Sequence, residues 1–117
     1  MSASQRFIGL MSGTSLDGVD GVLASLTEAG QIRVEHHAFC PFEAPLREAL
    51  LALNTPGDNE LHRAALAANA LARRYALVVR QLLETSGLRP QDIAAIGAHG
   101  QTVRHQPQLH DGTGYTL

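Results

Sequence analysis

The ten residues Met11-Ser12-Gly13-Thr14-Ser15-Leu16-Asp17-Gly18-Val19-Asp20 place two glycines, small hydroxyl side chains and two carboxylates between two hydrophobic segments. Glycines let backbone N–H groups come close to an anion, and Thr14 and Ser15 add hydroxyl donors. Asp17 or Asp20 could hold a hydrated Mg²⁺ ion, which takes carboxylate oxygens together with waters and phosphate. Without that metal a carboxylate repels phosphate. Gly13 and Gly18 match the first part of G-x-x-x-x-G-K-[ST], but Val19 and Asp20 stand where that motif needs lysine and a hydroxyl, which disfavours a P-loop NTPase. The plainer reading of the same residues is a hairpin turn made of turn-favouring residues.

A second constellation is His99-Gly100-Gln101-Thr102, followed by Arg104 and His105. His99 and Gln101 each give and accept hydrogen bonds, which suits sugar hydroxyls or an amide. If the chain stays extended here, His99, Gln101 and Val103 share one side, and Thr102 and Arg104 the other. A zinc reading through His99 and His105 is weak, because H-E-x-x-H is missing and His110 is only loosely spaced as a third ligand. The alternative is a polar loop with satisfied histidines. His36, His37 and His62 read as surface or partly packed residues. Cys40, the single cysteine, reads as strand-end packing, since no Lys, Arg or His pattern around it predicts a depressed thiol pKa.

The elements that must carry these residues follow from periodicity. Phe7, Ile8, Leu10 and Met11 form a short apolar run that suits a central strand buried on both faces. Strands are expected from Val19 to Leu26 and from Ile32 to Phe39, joined by a turn at Glu28-Ala29-Gly30-Gln31, giving an antiparallel meander. Pro45 opens a helix carrying Leu46, Ala49, Leu50 and Leu53 and ending near Asn54-Thr55-Pro56-Gly57. A second helix starts at about Asn59, whose side chain is expected to cap it, with Asp58 and Glu60 near its positive end. Its apolar stripe is Leu61, Ala64, Ala68, Leu71, Tyr75, Val78 and Leu82, and Gly87 and Pro90 stop it. Arg63, Arg73 and Arg80 fall off that stripe. Ile93 to Ala98 reads as a fourth strand, apolar on both faces, and Gly114-Tyr115-Thr116-Leu117 as part of another. Reaching the fourth strand through helices predicts a mixed sheet with a crossover.

Composition limits the function classes. At 117 residues, 44% hydrophobic and 17% charged, the chain suits one globular domain with a modest core. The net charge of −2 gives no basic field for nucleic acid or an anionic membrane. No apolar run approaches the roughly 20 residues that span a bilayer, and the N-terminus lacks the features of an export signal, so cytoplasm is expected. The apparent beginning of a strand at Leu117 suggests an N-terminal piece of something longer.

The segments RFIGLMSGTSLDGVDGVLASL and DIAAIGAHGQTVRHQP resemble the two signature segments of the anhydro-N-acetylmuramic acid kinase family, in the same order and separation. The resemblance covers nearly the whole chain and implies an α/β, actin-like ATPase (ribonuclease H-like) fold. Residues 1–117 are then the N-terminal portion of its first domain, a mixed sheet with flanking helices, and the rest of that domain and the second domain lie outside this chain. The resemblance also implies that Gly13, Thr14, Ser15, Leu16, Asp17, Gly18, Val19 and Asp20 bind the ATP phosphates. Asp17 would organise Mg²⁺ through water, and His99, Gln101 and Thr102 would help shape the sugar pocket. The implied reaction opens the anhydro ring hydrolytically and phosphorylates the 6-hydroxyl, in cell-wall recycling, in a full-length protein that pairs as a homodimer. The family's general base is an aspartate beyond this chain, so the isolated chain is expected to be inactive. The rival expectations are another actin-fold sugar kinase and a non-catalytic binding or assembly module of the same fold.

Overall fold

A computed structural model describes residues 4–117. Strands β1 (Gln5–Ser12), β2 (Gly18–Leu26) and β3 (Ile32–Pro41) form the expected antiparallel meander. Between β2 and β3 the chain reverses at Gly30, whose φ of 82° suits glycine and whose amide donates to the Thr27 carbonyl at 2.9 Å. Helices α1 (Ala44–Ala52) and α2 (Glu60–Ser86) then carry the chain back. After a 3₁₀ turn at Pro90–Asp92, strand β4 (Ile93–Ala98) pairs parallel with β1, giving the order β3-β2-β1-β4. The mixed sheet and its crossover are therefore as expected. No helix among the described residues is long and apolar enough to cross a membrane.

The core forms where α2 lies on the sheet. Ile8, Leu10, Val19, Leu23 and Cys40 point from the strands toward Val78 and Leu82. Close approach is possible because residue 21 is glycine: a Cβ there would overlap the Val78 side chain and lie 3.1 Å from Leu10 Cδ2. Leu46, Leu50 and Leu53 of the α1 segment make a second cluster with Ala67 of α2 and Leu16. Gly87, at φ 73°, ends α2 with its amide on the Leu83 carbonyl.

Four expectations are corrected. The Asn59 side chain makes no capping bond, because the residue is left-handed (φ 54°, ψ 39°) rather than in the extended region from which a cap reaches back. Arg63 braces the helix start instead, its Nε donating to the Asp58 carbonyl at 2.7 Å. The stripe on α2 also begins differently: Leu61 and Ala68 are exposed and Ala67 is buried, since the first turns face α1 rather than the sheet.

Strand β1 is covered on one face only, and β4 beyond Ile93 is exposed on both. Ile8, Leu10 and Ser12 alternate toward α2, whereas Phe7 and Gly9 join Val22, Ala24, Ala95 and Gly97 along an open groove of about 490 Å³. Finally, residues 99–104 do not extend β4. Gly100, at φ 77°, turns the chain, so the predicted alternation of His99, Gln101 and Val103 is lost. The strand expected at the end is β6 (Gly114–Thr116), and its partner β5 (His105–Pro107) is a strand the sequence pattern did not reveal.

Candidate functional site

Because β1 and β4 run parallel as neighbours, the segments that follow them, residues 13–17 and 99–104, leave the sheet at the same edge. Open sheets bind ligands outside the carboxyl ends of their parallel strands. The two are also tied directly: the His99 amide donates to the Leu10 carbonyl at 2.9 Å, extending the β1–β4 pairing by one step.

The first segment is a hairpin loop pinned from below. Leu16, only 6% exposed, packs among Leu46, Leu50, Leu53 and Ala67, with Val103 against the same cluster. Its left-handed backbone (φ 57°) lets the side chain turn inward while its amide donates to the Gly13 carbonyl at 3.2 Å. The Phe42 amide holds the Asp17 carbonyl at 3.0 Å. Gly18 is required by packing, since a Cβ there would collide with the Cys40 carbonyl and sit 2.7 Å from Pro41 Cα.

This divides the eight loop residues by role. The side chains of Leu16 and Val19 belong to the core, so only their main chain is open to a ligand. Gly13 differs from Gly18: it has no positive φ, and a Cβ would meet nothing nearer than Ser15 Oγ at 3.9 Å. Neither backbone nor packing within the described residues demands glycine at position 13. The Thr14, Ser15 and Asp17 amides donate to no acceptor among the described residues, and the exposed Asp17 carboxylate has no partner there. Asp20 accepts from His37 Nε2 at 3.0 Å on the open face of the sheet, opposite Met11. Asp17 is thus the loop carboxylate left for a cation. Among the described residues no three His, Cys, Asp or Glu side chains gather into a metal cluster.

In the second segment, Gln101 reaches back to β1. Its Oε1 accepts from the Ser12 hydroxyl, and its Nε2 donates to the Thr102 carbonyl at 3.1 Å. His99 is exposed, with Nδ1 3.1 Å from the Gly100 carbonyl, and Thr102 is half-buried. His99, Gln101 and Thr102 therefore lie beside the loop, and only Gln101 bonds through its side chain to the strand that leads into it.

Sequence reasoning named Arg104 and Tyr75 but missed the contacts that fix this arrangement. Ser12, 2% exposed, is the one buried polar side chain among the described residues, and the alternation Ile8, Leu10, Ser12 could have revealed it. Tyr75 of α2 brings its hydroxyl beside Ser12 and the Gly100 amide, and burial pushes the phenol pKa up. Arg104 donates to the Leu53 carbonyl at 3.0 Å and pairs with Glu60, joining the ends of α1 and α2 to the second segment. Arg74 lies 3.6 Å from Cys40 Sγ and pairs with Glu43 at 2.7 Å, neighbours that no local pattern around the cysteine discloses.

The family described as anhydro-N-acetylmuramic acid kinase matches residues 5–117. Among curated relatives, the anhydro-N-acetylmuramic acid kinase of Variovorax paradoxus is 64% identical over 98% of this chain and 30% of its own length. That of Albidiferax ferrireducens is 64% identical over 97% of this chain and 29% of its own. That of Bordetella pertussis is 62% identical over 95% and 28%. The chain thus spans about 30% of the length of the curated relatives it matches. A match running through both segments at the sheet's carboxyl edge leaves one conclusion: this chain belongs to the anhydro-N-acetylmuramic acid kinase family.

Proposed function

We propose that the full-length protein opens the ring of anhydro-N-acetylmuramic acid hydrolytically and phosphorylates it from ATP to N-acetylmuramic acid 6-phosphate, in the cytoplasm, as part of cell-wall recycling. The observation that carries this reading is the convergence of residues 13–17 and 99–104 at one edge of the sheet, in a chain of this family. Residues 1–117 supply the first part of an actin-like domain, and the sheet order β3-β2-β1-β4 suits that fold. The aspartate that activates water and the surfaces that pair two copies belong to the remainder of the protein.

The residues present fit a nucleotide triphosphate. Room above Gly13 and the uncommitted amides of Thr14, Ser15 and Asp17 suit phosphate oxygens, and the Thr14 and Ser15 hydroxyls add donors. Asp17 would hold Mg²⁺ through its water shell, and the ion would supply charge neutralisation at the phosphates. Gly18 fixes the loop's exit by packing on Cys40 and Pro41, Val19 offers the ligand only its main chain, and Asp20 lies farther along β2 beside His37. Positioning dominates phosphoryl transfer, so the task of this chain is to hold the loop still and present Gln101, His99 and Thr102 to the sugar. Leu16 does the first by anchoring the loop in the core, and the Ser12–Gln101 bond links it to the second.

Incubation of the full-length protein with MgATP and anhydro-N-acetylmuramic acid tests the reading. Mass spectrometry should find the 6-phosphate of the opened sugar; a folded protein that forms none overturns it.

A further inference from the structure

Resting on that reading, we infer that Ser12 and Tyr75 are positioning residues that fix the Gln101 carboxamide as a hydrogen-bond donor, so that it recognises an acceptor oxygen on the bound ligand. The direction of every bond follows from one group that can only accept. The Thr102 carbonyl lies 3.1 Å from one end of the Gln101 amide, so that end is the Nε2 donor. The other end is then Oε1, and the Ser12 hydroxyl facing it must donate. Ser12 Oγ keeps its lone pairs for a donor. The Tyr75 hydroxyl is buried beside Ser12 and the Gly100 amide and makes no hydrogen bond among the described residues. An unpaired buried hydroxyl is costly, and a bond to the Ser12 lone pairs is one way to satisfy it. Ser12 therefore donates to Gln101 with its lone pairs open to the Tyr75 hydroxyl, and the second N–H of Nε2 remains for a ligand.

This arrangement has a chemical consequence. A free glutamine can turn either end of its amide to a ligand, whereas this one is held with its oxygen inward. It reads an acceptor and rejects a site that offers only a donor. The acceptor oxygen belongs either to the sugar or to a nucleotide phosphate, since Ser12 immediately precedes the loop.

The test uses the full-length protein and steady-state KM values for anhydro-N-acetylmuramic acid and for MgATP, taken separately. Ser12→Ala, which removes only an oxygen, should raise one of the two KM values roughly 3- to 10-fold with the other unchanged. A rise for the sugar assigns the acceptor to the sugar, and a rise for ATP assigns it to phosphate. Tyr75→Phe should move the same KM less. Gln101→Glu keeps an acceptor for Ser12 but loses the N–H groups, so it should be at least as harmful as Gln101→Ala. The decisive readout is the double mutant: Ser12→Ala should have no further effect in a Gln101→Ala background, because it acts through that side chain. Additive losses, or a Gln101→Glu variant with both KM values normal, would overturn the inference while leaving a wild-type kinase intact. A wild-type protein without activity would instead refute the proposed function.

Discussion

At the scale of single residues, the loop separates positions that the fold needs from positions that only a ligand explains. Gly18 cannot carry a Cβ against Cys40 and Pro41, whereas Gly13 can. Gly13→Val should therefore leave the melting temperature nearly unchanged while weakening nucleotide binding, as measured by calorimetric titration of the full-length protein with MgATP. Unchanged affinity would reduce the loop to a turn. Asp17→Ala removes an exposed carboxylate with no partner among the described residues, so stability should hold. Turnover should fall roughly 10- to 100-fold, the usual effect of losing a group that organises a metal's surroundings. Asp20, already occupied by His37, should be the less sensitive of the two aspartates in the same assay.

At the scale of elements, the contacts between strands and helices make their own predictions. Gly21 lets α2 settle on β2, and Gly21→Ala should cost about 1–3 kcal/mol in urea unfolding by forcing Val78 and Leu82 away. The Glu60–Arg104 pair joins the start of α2 to the second segment, and the Arg104 hydrogen bond holds the Glu60 carboxyl below its usual range. A carboxylate with a depressed folded pKa adds stability above the unfolded value, about 4.3 for Glu, and loses it as the pH falls through the folded value. Stability of Glu60→Gln should thus fall less steeply than wild type below about pH 4.3. The strands, the two helices and the crossover were legible because period-two and period-3.6 patterns depend on local sequence. Asn59 was misread because its residue type fits a cap, while its backbone conformation is set by how Arg63 and the preceding turn pack. The loop was legible as a site from its glycines and hydroxyls. Ser12, Tyr75 and Arg104 were not, because each matters through a partner distant in sequence, such as Gln101 for Ser12 or Glu60 for Arg104.

At the scale of the whole molecule, the described residues form a thin slab of 55 × 34 × 21 Å, about the depth of a sheet with one layer of helices. Its radius of gyration, 16.9 Å, exceeds the roughly 13 Å expected of a compact domain of similar length. One face of the sheet is open: Phe7, Val22, Ala24 and Ala95 line a groove there, and Ile32 and Val34 stand exposed on the edge strand. A parallel pair such as β1–β4 is ordinarily covered on both sides, and apolar area left in water favours any contact that removes it. The 117-residue chain on its own should therefore bind an environment-sensitive apolar dye in its folded state and sediment faster as its concentration rises. Val22→Lys puts a charge in the middle of the groove without touching the face under α2, so it should reduce both effects while the far-ultraviolet circular dichroism stays the same. If dye binding persists undiminished in that variant, the open face is not its cause, and the self-association must be sought at the unpaired backbone of β3 or β4.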